Sequence, residues 1–88
     1  MAGKKNRIEF RISAPGAETV LLSGNFNNWS QHSDFMKKDQ TGTWKKIKML
    51  SQGTYEYKFI VDGTWTLDPN CSETACNQYG TYNNIIEI

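Results

Sequence analysis

The chain has 88 residues and a formal net charge of +1, and 38% of its residues are hydrophobic and 22% charged. This length corresponds to one domain with a thin core, which buries about 60% of the surface exposed by the unfolded chain. The near-neutral charge argues against a nucleic-acid-binding protein, which usually carries a strongly basic face. No apolar run approaches the roughly 18 residues that a membrane-spanning helix needs, so no membrane partner is expected.

The first half of the chain predicts short β-strands separated by turns. Alternation over Arg7–Ile12 places apolar residues on one face, as in a half-buried strand, and Thr19–Gly24 predicts a second strand. The Asn-rich stretch 25–33 predicts a loop, because asparagine tolerates left-handed backbone. Thr43–Leu50 predicts a further strand, whose imperfect alternation indicates a bulge or an edge position.

The second half contains the clearest strand, Thr54–Asp62. Asp62-Gly63 is a strong signal for a two-residue hairpin turn, which makes Thr64–Leu67 the partner strand. A polar loop is predicted up to about Tyr82, and Asn84–Ile88 is predicted to be the last strand.

This spacing of short strands predicts an all-β protein, an immunoglobulin-like antiparallel β-sandwich of the early-set type with six to eight strands. Residues 1–6 are predicted to be a flexible N-terminus and residues 7–88 to form the domain. The predicted core residues are Phe10, Val20, Leu22, Tyr57, Phe59 and Ile86.

The hairpin also predicts which side chains point away from the core. In Thr54–Asp62 the odd positions are aromatic or β-branched and predict the core face, whereas the even positions, including Lys58 and Ile60, face away. A two-residue turn pairs Ile60 with Trp65, which places Trp65 diagonally next to Lys58. An exposed indole beside an ammonium group favours a binding surface. The alternative interpretation is that Trp65 covers a minor apolar cluster with Ile60.

The other aromatic residues are less clearly assigned. Trp29 is either a binding residue or a half-buried lid at the end of the second strand. Trp44 lies within a strand and is expected to be in the core. The sequence leaves open which of Tyr79 and Tyr82 is exposed.

Cys71 and Cys76 are close enough in sequence for a small disulfide loop, or they are free thiols. No secretory signal is apparent, so we expect free thiols and a cytoplasmic location. Two cysteines, with the single His32 far away in sequence, do not complete a tetrahedral zinc site. No metal and no cofactor are therefore predicted.

Three segments resemble a known family: Leu22–Ser30, Tyr57–Trp65 and Tyr79–Ile86. In this order, with Asp68-Pro69 between the second and the third, they resemble carbohydrate-binding module family 48. Within it they are similar to the glycogen-binding domain of the AMP-activated protein kinase β subunit. The resemblance covers about residues 7–88. It implies non-catalytic binding of an α-1,4-linked glucan, such as glycogen, starch or a malto-oligosaccharide.

The sugar-binding positions of the family fall on residues of these segments. The resemblance implies that Trp29 and Trp65 stack on glucose rings. It also implies that Lys58, Thr81 and Asn83 bind sugar hydroxyls.

Tyr79 is a departure from the family, because it stands where the kinase domain has a leucine that pushes into the curve of the glucan. A tyrosine can still pack against sugar and adds a hydroxyl. The complete implied carbohydrate site is Trp29, Lys58, Trp65, Tyr79, Thr81 and Asn83.

Three other functions compete with glucan binding. A glycoside hydrolase needs two carboxylates about 5–9 Å apart across a cleft. Asp34, Asp62 and Asp68 are better explained as turn residues, so no catalytic residue and no enzyme is predicted. A single-strand nucleic-acid binder conflicts with the charge. The more serious alternative is a protein-interaction or regulatory module that packs against a partner domain.

Overall fold

The structure, a computed structural model, describes residues 4–88, and these residues form eight antiparallel β-strands in two sheets. The strands are β1 (Lys5–Ser13), β2 (Val20–Gly24), β3 (Lys37–Lys38), β4 (Thr43–Ser51), β5 (Thr54–Val61), β6 (Thr64–Thr66), β7 (Thr74–Cys76) and β8 (Tyr82–Glu87). The only helical element among these residues is a 3-10 turn, Asn25–Asn27. The prediction of an all-β protein is confirmed.

The two sheets pack face to face. The first sheet has the order β1-β4-β3, and the second has the order β2-β5-β8-β7, with β6 also paired to β5. The segment after the Asn-rich loop joins them. Its Met36 N–H donates to the Val20 carbonyl of the second sheet at 2.8 Å, and Lys37 and Lys38 then pair with β4 of the first sheet. This crossing closes one side of the sandwich.

The core lies between the sheets and is rich in aromatic residues. The Phe10 ring of β1 meets the Tyr57 ring of β5 edge-on, with 4.8 Å between the ring centroids. Tyr57 also donates through Oη to Asp68 Oδ2 at 2.8 Å, and burial together with this bond raises the pKa of Tyr57. The predicted core is confirmed, with Ile86 partly buried against it. The buried cluster is Phe10, Ile12, Ala17, Val20, Leu22, Met36, Trp44, Leu50, Tyr57 and Phe59.

Two boundaries differ from the sequence prediction. The first strand already includes Lys5 and Asn6, which pair with Ser51 and Leu50 of β4, so the regular structure begins before residue 7. Of the rest of the predicted flexible N-terminus, Lys4 lies just before the strand, and residues 1–3 lie outside the described residues. Strand β7 lies within the stretch predicted as a polar loop. The sequence did not predict this strand, because a run of three residues, Thr74–Cys76, is too short to show an alternation.

The predicted bulge in β4 is absent from the register, which runs without a break along the whole of β1. The alternation is imperfect for another reason. Lys46 and Lys48 have the same parity as the buried Trp44 and Leu50, and they reach the buried carboxylate of Asp34 at 3.7 and 3.1 Å. On its other side β4 is paired only with the two residues of β3, so most of that edge is open.

Asp34 joins this edge to the Asn-rich loop. Its side chain accepts hydrogen bonds from Asn27 Nδ2 at 2.7 Å and from Lys48 Nζ at 3.1 Å. Burial by itself raises the pKa of Asp34, but the bonds from Asn27 and Lys48 and the charge of Lys46 outweigh it, so the pKa is lower than usual. The ionised carboxylate therefore stabilises the fold.

The first prediction concerns this carboxylate. Because the folded pKa is lowered, its stabilisation is present above the unfolded pKa of about 4 and is lost as the pH falls through the folded value. Asp34→Asn should lower the free energy of unfolding by roughly 1–3 kcal/mol at neutral pH. In urea titrations, the difference between the two proteins should shrink below about pH 4. A difference that stays constant from neutral pH to about pH 2 would contradict this role.

The second prediction concerns Trp44, which is 7% exposed and donates from Nε1 to the Ala14 carbonyl at 2.9 Å. Trp44→Ala leaves a cavity and removes one of the two hydrogen bonds that the Ala14 carbonyl accepts, and it should cost roughly 3–5 kcal/mol in urea unfolding. Trp65→Ala is the matched control, because Trp65 is 40% exposed on the opposite side of the second sheet. A loss at Trp44 no larger than that at Trp65 would show that Trp44 does not support the core.

Candidate functional site

The outward face of β5 forms the floor of the site. The predicted pairing of Ile60 with Trp65 is confirmed. Asp62 and Gly63 have φ values of 48° and 83°, both positive, as a type I′ turn requires. Trp65 is 40% exposed, as a binding residue would be. Ile60, which is only 4% exposed, pairs with Trp65 on one side and with Leu21 on the other, so Trp65 also borders an apolar row on this face.

Trp29 approaches from the Asn-rich loop. The rings of Trp29 and Trp65 have centroids 6.3 Å apart and planes inclined by 54°. Asn28 and Trp29 both have left-handed backbone, with φ of 58° and 57°, which is uncommon for a bulky residue. The Trp29 N–H donates to the Gly24 carbonyl at 2.8 Å, so the loop turns back on the end of β2.

The side chain of Asn27 holds this unusual loop in place. Its Oδ1 accepts from the N–H groups of Gly24 and Ser30 at 3.1 and 3.3 Å. Its Nδ2 donates to the Leu22 carbonyl at 3.1 Å and to Asp34 at 2.7 Å. All four hydrogen-bonding positions of the amide are used, which stabilises the strained backbone next to it.

A second asparagine organises the loop on the other side of the site. Asn77 Oδ1 accepts from the N–H groups of Tyr79 and Thr81 at 2.9 and 3.1 Å. Asn77 Nδ2 donates to Thr81 Oγ1 at 2.7 Å and to Asn83 Oδ1 at 3.1 Å. Gly80, with φ of 80°, completes the turn. The Tyr79 side chain projects from it and is 80% exposed, whereas Tyr82 is 53% exposed.

Polar side chains link this loop to β5. Lys58 Nζ donates to Thr81 Oγ1 at 3.4 Å. Asn83 Nδ2 donates to Glu56 Oε1 at 3.0 Å, and Asn83 is only 7% exposed. The chain of bonds therefore runs from Glu56 through Asn83 and Asn77 to Thr81 and Lys58.

All six sequence-predicted site residues line one concave surface with a volume of about 740 Å³. Sequence reasoning missed Glu56, although the alternation that selected Lys58 also points Glu56 to the same side. It also missed Asn77, for which the only signal was an asparagine three residues before Gly80. The complete lining is Trp29, Gln31, Glu56, Lys58, Trp65, Cys76, Asn77, Gln78, Tyr79, Thr81 and Asn83.

Among residues 4–88, no three side chains of the histidine, cysteine, aspartate and glutamate types cluster as a metal site would. Cys71 and Cys76 are both free thiols in this range. None of the elements within residues 4–88 is a helix of the length and apolarity needed to span a membrane.

Comparison with known proteins identifies the family. The family model of the glycogen recognition site of AMP-activated protein kinase matches residues 7–88. The chain belongs to this family. The domain is therefore a carbohydrate-binding module of the glycogen-recognition type.

Curated relatives carry this domain within longer proteins. The chain is 41% identical to the β-1 subunit of 5'-AMP-activated protein kinase from Sus scrofa over 90% of its own length and 61% of the relative. The same subunit from Homo sapiens is also 41% identical, and the match covers 27% of it. An amyloplastic phosphoglucan phosphatase from Castanea sativa is 35% identical over 97% of this chain and 23% of the phosphatase. The chain thus spans less than two thirds of each of these relatives.

Proposed function

We propose that the domain binds α-1,4-linked glucan, such as glycogen, starch or malto-oligosaccharide, through the concave surface bordered by Trp29 and Trp65. The observation that carries the proposal is the convergence of all six residues implied by the family on this one surface. Three of its residues are aromatic, and polar side chains lie between them. Such a combination suits a pyranose, which has apolar C–H faces and hydroxyls around its edge.

The inclination of the two indoles supports a curved ligand. Rings at 54° to each other cannot both lie flat on a straight, ribbon-like chain. The bend between successive α-1,4-linked glucose units lets one unit face Trp29 and the next face Trp65. In this proposal the exposed ring of Tyr79 packs against the inside of the curve, where its hydroxyl adds a hydrogen bond.

The polar residues have unequal roles in this proposal. Lys58 supplies only donors, whereas the amide of Asn83 supplies both donor and acceptor. Because Asn83 is nearly buried and bonded to Glu56 and Asn77, only one hydrogen and one lone pair of its amide are left for a sugar. The hydroxyls of free glucan are well hydrated, so each exchanged hydrogen bond gains only about 0.5–1.5 kcal/mol. The expected affinity is micromolar to millimolar, or roughly −4 to −8 kcal/mol.

The proposal also covers the catalytic activity and the cellular location of the domain. We propose that the described domain binds glucan without turning it over and that it acts in the cytoplasm. A protein partner is the alternative main role, and it is supported by the relatives that are named as kinase subunits. The two roles predict different outcomes when the aromatic residues of the site are removed.

The third prediction concerns Trp65. Trp65→Ala returns a large flat apolar area to water, worth roughly 2 kcal/mol, and should weaken binding of a malto-oligosaccharide by about 10- to 100-fold in calorimetric titrations. Lys58→Ala should weaken it less, because water replaces the lost donor.

Trp44→Ala is the matched control for this measurement, since it removes the same ring from the core. It should lower stability and leave the affinity of the folded fraction nearly unchanged. A Trp65→Ala protein that is folded and binds glucan as tightly as the parent would remove the support for the site and favour the protein-interaction role.

A further inference from the structure

The orientation of the Asn77 amide is fixed by the backbone around it. The N–H groups of Tyr79 and Thr81 both point at one atom of the amide, at 2.9 and 3.1 Å. Because backbone N–H groups only donate, that atom is Oδ1. The Nδ2 group must then face the opposite way, towards Thr81 Oγ1 and Asn83 Oδ1.

This orientation fixes Asn83 in turn. The atom of Asn83 that receives the hydrogen from Asn77 is the carbonyl oxygen, so its Nδ2 group faces Glu56 Oε1 at 3.0 Å. The carboxylate of Glu56 is an acceptor, which matches this arrangement. Donors and acceptors therefore alternate along the network without a conflict.

The same logic determines what Thr81 offers to a ligand. Its Oγ1 accepts from Asn77 Nδ2 at 2.7 Å and from Lys58 Nζ at 3.4 Å. A hydroxyl has two lone pairs and one hydrogen, so both lone pairs are occupied. None of the described residues accepts the hydroxyl hydrogen, and Thr81 is exposed at the lining of the concave surface. The hydrogen of the hydroxyl is thus free, and the group is set to act towards a ligand as a donor.

We propose that Asn77 is a positioning residue that sets Thr81 as a hydrogen-bond donor to an oxygen of the bound glucan. This inference rests on the proposed function. It adds a positioning residue, Asn77, and the direction of the hydrogen bond between Thr81 and the glucan. Asn77 acts through Thr81 and also holds the turn that carries Tyr79. Its amide is useful because it accepts on one side and donates on the other, which a carboxylate or an alkyl group cannot do.

The fourth prediction tests this with Asn77→Asp and Thr81→Val in a double-mutant cycle, measured by calorimetric titration with maltoheptaose. The aspartate still accepts from the two backbone N–H groups, so the turn should persist. Its second oxygen cannot donate, and it attracts the Thr81 hydrogen away from the sugar. We expect Asn77→Asp to weaken binding about 5- to 20-fold and Thr81→Val about 3- to 10-fold. The double variant should be within about 2-fold of Asn77→Asp alone.

Three controls separate positioning from a structural or charge effect. Asn70→Asp adds the same charge outside the concave surface and should bind like the parent. The backbone amides of Tyr79 and Thr81 should stay protected from hydrogen exchange in Asn77→Asp, which would show that the turn persists. Thr81→Ser keeps the hydroxyl and should bind within about 2-fold of the parent, which tests the donor even if Asn77→Asp fails to fold.

The inference is overturned if the losses of Asn77→Asp and Thr81→Val simply multiply, or if Thr81→Ser binds as poorly as Thr81→Val. Parent-like binding by Asn77→Asp would also overturn it. These outcomes differ from failure of the proposed function, in which the parent protein itself does not bind maltoheptaose.

Discussion

The arrangement of the whole domain depends on the alternation of β5, the strand that is hydrogen-bonded to β2, β6 and β8. Successive side chains of a strand point to opposite faces, so one register decides both sides at once. Tyr57 and Phe59 enter the core, while Glu56 and Lys58 face the concave surface. A slip by one residue would bury the charged side chains and expose the aromatic ones. The tight turn after β5 fixes this register, and the same turn determines where Trp65 lies.

The floor of the site is regular sheet, but its walls are loops, and each loop is held by one asparagine. Asn27 and Asn77 each use all four hydrogen-bonding positions of the side-chain amide. A backbone loop cannot satisfy its own groups as a strand does, and an amide side chain can substitute for the missing partner. The left-handed backbone at Trp29 persists because Asn27 stabilises the turn that contains it. The backbone that carries the aromatic residues of the two loops is consequently in position before a ligand arrives.

The sequence predicted the parts of this structure that follow from local periodicity. The core residues of β5, the pairing of Ile60 with Trp65 and the face of Lys58 all came from alternation and from Asp62-Gly63. Periodicity did not predict the position of Trp29 against Trp65, because this position depends on how a nine-residue loop folds back over the sheet. Trp29 was placed in the site by the family resemblance. A bulge or an edge position was expected in β4. The bulge is absent, although most of one edge of β4 is open. The bulge was expected because periodicity treats lysine as an outward residue and has no information about the carboxylate of Asp34.

Stability and binding are separable in this domain because the core and the concave surface lie on opposite sides of the second sheet. Trp44 and Trp65 are chemically identical, yet one is almost fully buried and bonded to the Ala14 carbonyl while the other borders the concave surface. Lining residues with fixed donors and acceptors lose little conformational freedom when a ligand binds, so a small contact area can still give useful affinity. A thin-cored domain of 88 residues has little stability to spare for rearrangement on binding. Loops held in place by fully hydrogen-bonded amide side chains suit a domain of this size.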